Sequence, residues 1–413
     1  MSLLRDHGFR NLLLADAVSQ LGTQFSVLAL PLVAVLVLRA TNFEAGLLTA
    51  CETVAFLLIG LPAGAWVDRM RRRRVLIVSD IARACLLASV PAAWALGVLT
   101  LAQLCLVAVA TGVCTVFFDV AYQSYLPHLV GPGHLVEGNA KLEGVRATSQ
   151  IVGPTLAGFV IQLITAPYAL LLDALSFAGS ALFVSRIAAR EQRPERRPDR
   201  HLGREILEGL RFVFGNPLLR AIALCISTFN LLSAAGTPML VVLLARDLGL
   251  SPGTIGVFYS IASVGALAGA LIARRVATRI GQGPAIWVPI AICAPLQLVI
   301  PTAQRGWLLW AAAAAYLVIW ACVSVNNITQ VSFRQGLTPP PLLGRMNATM
   351  RFLVWGTMPI GALLGGVLGQ AIGARNTLWI AAAAGVIPLI PLLASPLRNT
   401  RDLPTAASSA AGW

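Results

Sequence analysis

The chain has 413 residues, of which 57% are hydrophobic and 12% charged, with a formal net charge of +14; its mean hydropathy is +0.78. About a quarter of residues are charged in an ordinary soluble domain, so this composition excludes one and indicates an integral membrane protein. The positive charge does not indicate nucleic acid, because the arginines are confined to short segments between apolar stretches.

A helix needs about 20 apolar residues to cross roughly 30 Å of hydrocarbon. Such runs are expected near 12–38, 45–66, 75–96, 100–123, 140–164 and 167–186. Past a polar interruption they recur near 218–243, 252–273, 285–302, 306–328, 347–371 and 376–396. The expected fold is therefore an all-α membrane protein of twelve transmembrane helices in two pseudo-symmetric six-helix bundles. Residues 1–186 form the first bundle, 187–215 a cytoplasmic linker, 216–397 the second bundle and 398–413 a cytoplasmic tail. Within the linker, Ile206, Leu207, Leu210, Val213 and Phe214 recur at helical spacing, which predicts a short helix on the membrane surface. Arg5 and Arg10 precede an apolar run too long for a signal-peptide core, so no cleavable leader is expected.

Arginine placement sets the orientation. With the first residues cytoplasmic, the outer loops hold Arg39, Arg246, Arg305 and Arg375, while Arg69, Arg71 to Arg74, the linker arginines, Arg274, Arg275, Arg279, Arg334, Arg345, Arg398 and Arg401 are inside. Both termini are then cytoplasmic. An internal repeat supports two halves: Pro132, Leu135, Asn139-Ala140, Gly153 and Gly158 have counterparts at one constant offset in Pro340, Leu343, Asn347-Ala348, Gly361 and Gly366. The fifth helix thus corresponds to the eleventh.

The seven cysteines have no paired spacing and the four histidines fall in hydrophilic segments, so neither a disulfide framework, a metal site nor a histidine relay is implied. No cofactor is expected. The sole lysine, Lys141, follows Asn139-Ala140 rather than a glycine-rich loop, which argues against ATP-driven transport.

Between the second and third runs lies Gly64-Ala-Trp-Val-Asp68-Arg69-Met70, followed by Arg71 to Arg74. With the repeat and the twelve runs, this loop resembles the signature of the major facilitator superfamily, over almost the whole length of the chain. Gly64, Asp68, Arg69, Arg72 and Arg73 match the loop pattern, whereas Arg71 stands where the family has a second glycine. The flanking residues most resemble the branch of siderophore exporters and macrolide or multidrug efflux proteins. The resemblance implies a cavity between the bundles, a cytoplasmic gate at this loop and a latch from Asp68 to the start of the eleventh helix, where unpaired amides favour a carboxylate. Gly269, Ala273 and Arg274 keep only a trace of the loop in the second half. On the fifth helix, Ser149, Gly153-Pro154 and Ala157-Gly158 partly match the antiporter signature, implying a hinge at Gly153, Pro154 and Gly158. Ordinary tight packing is the alternative. The arginine that proton antiporters place in the fourth helix is replaced by Phe117-Phe118-Asp119.

Charges within spans cost roughly 2.5–3.5 kcal/mol each and mark pathways. The candidates are Asp16, Glu52, Arg83, Asp119, Arg146 and Asp173. Asp16, Gln20 and Thr23 share one face of the first helix, as Asn139, Glu143, Arg146 and Gln150 do on the fifth. Because the first and fifth helices border the cavity in the resembled fold, Asp16 and Arg146 are an expected exchangeable pair for proton coupling, with a static ion pair as the alternative. Glu52, Asp119 and Asp173 are further coupling candidates. Gln20, Gln150, Phe229, Asn230, Asn326 and Trp355 are the expected substrate contacts, since aromatic walls with few hydrogen-bonding groups suit amphipathic organic molecules.

The expectation is a non-enzymatic, monomeric exporter in the bacterial inner membrane. It would exchange a small compound such as an antibiotic or siderophore for protons, with lipid and no nucleic acid as its surroundings. An importer of a small nutrient is the alternative within transport, and a membrane sensor or membrane enzyme the alternative outside it.

Overall fold

The computed structural model describes residues 3–60, 62–67, 69–131, 134–187, 202–339 and 342–400. These are predominantly helical, with no strand among the described residues. Twelve helices are long and apolar enough to cross a membrane. Spans 1 to 6 are His7–Val37, Asn42–Ile59, Arg72–Ala95, Leu101–Pro127, Leu135–Ile164 and Ala166–Ser185. Spans 7 to 12 are Pro217–Asp247, Pro252–Ile280, Gln282–Thr302, Trp307–Leu337, Leu343–Ile372 and Ala374–Leu393.

Local chemistry sets several boundaries. Span 1 starts earlier than its apolar run because the Asp6 carboxylate accepts the Phe9 amide at 2.7 Å, capping the helix. Span 2 begins with a capping box, in which the Thr41 side chain accepts from Glu44 and the Glu44 side chain from Thr41. The second apolar run, expected to reach residue 66, is divided: span 2 stops at Ile59 and a short helix, Pro62–Val67, starts at the proline, which lacks the amide needed to continue the earlier helix. Spans 1 and 7 both finish in a π-helical turn, Val33–Val37 and Leu243–Asp247.

The repeat is visible in the backbone. Spans 5 and 11 each run 30 residues and are followed by a left-handed residue, Thr165 at φ 74° and Gly373 at φ 87°. Arg39 and Gly249, after spans 1 and 7, are likewise left-handed.

The chain divides into two compact units, Met1–Pro198 with Val241–Ser260, and Asp199–Leu240 with Ile261–Trp413. In the first unit an apolar core gathers around Phe9, Leu12, Leu76, Tyr125 and Val184. In the second, the core gathers around Val213, Phe333, Met346, Met350 and Leu392. Val213 belongs to the linker helix, Leu202–Gly215. This helix docks on span 11, where Glu208 pairs with Arg345 and Gly209 lies against the Arg345 backbone. Leu207 and Phe214 remain exposed, which gives the helix an apolar outer face as well as a docked one. Residues 188–201 of the expected linker and the tail beyond residue 400 lie outside the described residues.

Candidate functional site

The first unit contains a buried polar network within its apolar helices. Asp16 on span 1 is 7% exposed and takes a hydrogen bond from Gln20 at 3.5 Å, with the Tyr122 ring of span 4 beside it. Two turns further along span 1, the absence of a side chain at Gly22 lets span 6 approach, and a Cβ there would meet Ser176 and Asp173. Asp173 accepts from Ser26 across the helices and from Ser176 at 2.9 Å. On span 3, Arg83 pairs with Asp80, and its guanidinium lies 4.4 Å from the Phe118 ring centre and 4.1 Å from that of Phe177. Arg83 also interacts electrostatically with Asp173. A charge this deep is tolerated only when paired and hydrogen-bonded. Here the guanidinium pairs with Asp80, while the Asp173 carboxylate is held by the Ser26 and Ser176 hydroxyls.

Asp80 was not among the expected site residues, because it follows the arginine loop and reads as its flank. Its spacing of three from Arg83, which puts both on one helix face, was the available signal.

Span 5 has a different character. Glu143 and Arg146 form an exposed pair at 3.7 Å, with side chains 69% and 54% exposed, and Gln150 continues the same open stripe. Arg146 interacts electrostatically with Asp16, but no hydrogen bond or ion pair joins them. The structure thus brings Asp16 together with Gln20 and Tyr122, and Arg146 with Glu143. Glu52 is half-buried on span 2, its carbonyl facing Gly112 of span 4, where a Cβ would stand 3.1 Å away. Asp119 is half-buried on span 4.

At the expected gate, Gly64 lies in the short helix and Asp68 lies outside the described residues. The neighbouring Trp66 stacks on Phe117 at 6.0 Å. Arg69 is exposed, whereas Arg73 donates to the carbonyls of Val184, at 3.2 Å, and Ser185, closing the end of span 6. Arg72 is also engaged with neighbours.

The helix-five signature is a crossing point. Gly153 faces the Gln24 side chain of span 1, and a Cβ on Gly158 would stand 3.1 Å from the Cα of both Gly253 and Gly256 in span 8. The Thr155 hydroxyl hydrogen-bonds Ser260 at 2.7 Å beside this crossing. Small residues therefore serve close backbone approach around Pro154. Gly269, read as a remnant of the loop, packs instead against the Ala321 backbone of span 10.

Of the expected substrate contacts, Asn326 is buried and donates to the Ile286 carbonyl at 2.7 Å, which commits it to joining spans 9 and 10. Phe229 packs against the second unit's core. Gln20 and Asn230 are half-buried, while Gln150 and Trp355 are exposed. No group of three or more metal-ligating residues occurs among the described residues.

Residues 12–354 match the family model of the Major Facilitator Superfamily. The chain belongs to this superfamily. It is 28% identical over 96% of its length to the Multidrug efflux pump Tap of Mycolicibacterium fortuitum, covering 97% of that protein. It is 24% identical to the Enterobactin exporter EntS of Escherichia coli O127:H6, over 98% of this chain and 96% of the relative. Among solved structures, a bacterial homologue of the iron transporter ferroportin in an inward-facing state superposes with a TM-score of 0.76 at 17% identity, covering 95% of this chain and 99% of that one. A mutant of the nucleoside transporter NupG gives 0.76 at 13%, covering 94% and 99%. These two share the fold. The superfamily chain is thus a multi-pass membrane transporter and not an enzyme.

Proposed function

We propose that this transporter exports a small amphipathic organic compound, such as an antibiotic or siderophore, across a bacterial cell membrane in exchange for protons. The observation that carries this reading is the end-to-end similarity to an efflux pump and an exporter. The cycle would alternate between two bundles, 1–186 and 216–397, in a monomer with both termini cytoplasmic. The loop from Gly64 through Asp68 and Arg69 to Arg72 and Arg73 acts as the cytoplasmic gate, and Gly153, Pro154 and Gly158 as the hinge.

Asp16 supplies the coupling chemistry. It sits on one stripe with Gln20 and Thr23, and Arg146 of span 5 is close enough to act on it electrostatically. When the helices move, contact with the guanidinium favours the carboxylate form and separation favours proton uptake. A proton taken up from one side is thereby released on the other as substrate crosses in the opposite direction. Gln150, Asn230, Phe229 and Trp355 would line the substrate path.

The test is proton efflux from energised inverted vesicles challenged with antibiotics and siderophores. Wild type is expected to move protons when substrate is added, and Asp16→Asn to insert normally yet move none. Undiminished substrate-evoked proton movement in Asp16→Asn would remove Asp16 from coupling.

A further inference from the structure

The four consecutive arginines after the gate loop do not share one role. Arg73 closes the end of span 6 and Arg72 is engaged with neighbours, whereas Arg71 and Arg74 are exposed and make no hydrogen bond or ion pair among the described residues. Both line a cavity of about 650 Å³. Its walls beyond them are mostly apolar, with Val75, Val78 and Ala82 of span 3 on one side and Phe117 of span 4 on the other; Ser79 and Cys114 are the small polar groups among them. From Arg71 to Ala82 the helix climbs roughly 16 Å at about 1.5 Å per residue, so the cavity is a groove, cationic at one end and oily along the rest. Val78 is 65% exposed and Ile81, one turn on, 50%, which places the groove on an apolar outer face that opens towards hydrocarbon.

We infer that this groove binds one anionic phospholipid, its phosphate held by Arg71 and Arg74 and an acyl chain laid along span 3. Guanidinium groups match phosphate oxygens as planar forks. A free phosphate would leave the apolar wall uncovered, and a choline headgroup would bring a cation against two arginines. An anionic lipid satisfies both ends of the groove. Arg71 is the residue standing where the resembled loop has glycine, so the departure from the family pattern supplies half of the charge. Trp66, stacked on Phe117, ties the gate loop to the same wall, so an occupied groove would brace the loop. The inference rests on the groove and not on the export reading.

The experiment is native mass spectrometry of the purified protein from micelles holding equal amounts of dioleoyl phosphatidylglycerol and dioleoyl phosphatidylcholine. Folding of each variant is checked by size-exclusion chromatography. Wild type is expected to retain phosphatidylglycerol preferentially. Arg71→Gln with Arg74→Gln should lower that retention by about thirtyfold, the scale of two arginine contacts with anionic lipid. Val78→Trp, which fills the groove and keeps both arginines, should lower it as well, and remains a test should the double variant fail to fold. Arg274→Gln with Arg275→Gln, in the last turns of span 8, should leave it unchanged. Equal retention of the two lipids by wild type would overturn the proposal, as would equal losses in both arginine pairs. Retention indifferent to Val78→Trp, or fully displaced by soluble glycerol phosphate, would reveal a bare phosphate site and overturn the seated chain.

Discussion

The two units differ in what their buried helix contacts contain, although both use glycines for close approach. Spans 1, 3 and 6 of the first unit meet through Asp80, Arg83, Asp173 and a set of serines, all buried. Spans 7 and 11 of the second meet through glycines: Gly361 lies against the Leu231 backbone and Gly365 against that of Ala235. The polar residues buried in the second unit, such as Asn326, Thr329 and Gln330, are neutral. Glycine contacts cost no desolvation and gain close dispersion contact, so they suit a scaffold. Buried charge is expensive in a membrane protein, and the charged residues buried among the described ones, Asp16, Asp80, Arg83 and Asp173, all lie in the first unit.

The largest effect should come from unbalancing the charged network. Arg83→Leu leaves Asp80 without its cation and is expected to destabilise the protein by about 3–5 kcal/mol, with much of the loss recovered when Asp80→Asn is added. Thermal unfolding of the purified protein measures both, and wild-type stability in the single variant would refute a structural role for the pair. On the glycine side, Gly365→Ala should cost about 1–3 kcal/mol through overpacking. Gly344→Ala, on the same span where a Cβ meets nothing within 4 Å, should be neutral or slightly stabilising. Equal behaviour of the two alanine variants would mean that the helices separate freely at Gly365.

A smaller effect is expected at the repeated turn after spans 5 and 11. Thr165 holds φ 74° and ψ 156°, a region suited to glycine, and Gly373 holds its counterpart. Thr165→Gly should therefore stabilise the protein by about 1 kcal/mol and raise its melting temperature, while Gly373→Thr should lower it. The smallest change in stability belongs to Arg146→Ala, since an exposed pair contributes about 0–1 kcal/mol. Its proton-coupled transport should nevertheless fall sharply. A variant that unfolds early, or that transports normally, would separate Arg146 from the coupling role proposed for it.

Much of the architecture was legible in the sequence. Twelve apolar runs, the arginine-rich loop and the offset between spans 5 and 11 depend on local composition and spacing, and a membrane core leaves a long apolar run few alternatives to a helix. The break at Pro62 and the caps at Asp6 and Thr41 are local as well. The partnerships between spans were not legible. Spacing put Asp16 with Gln20 and Glu143 with Arg146 on single helix faces, whereas only tertiary packing set Tyr122 of span 4 beside Asp16. It also turned Asn326 into a link between spans, Gly269 into a packing contact, and Arg71 and Arg74 into the mouth of a groove. Helical periodicity determines which residues share a face, but which face meets which neighbour depends on the azimuth and crossing of helices distant in the chain, and those are decided only when side chains from several spans pack together.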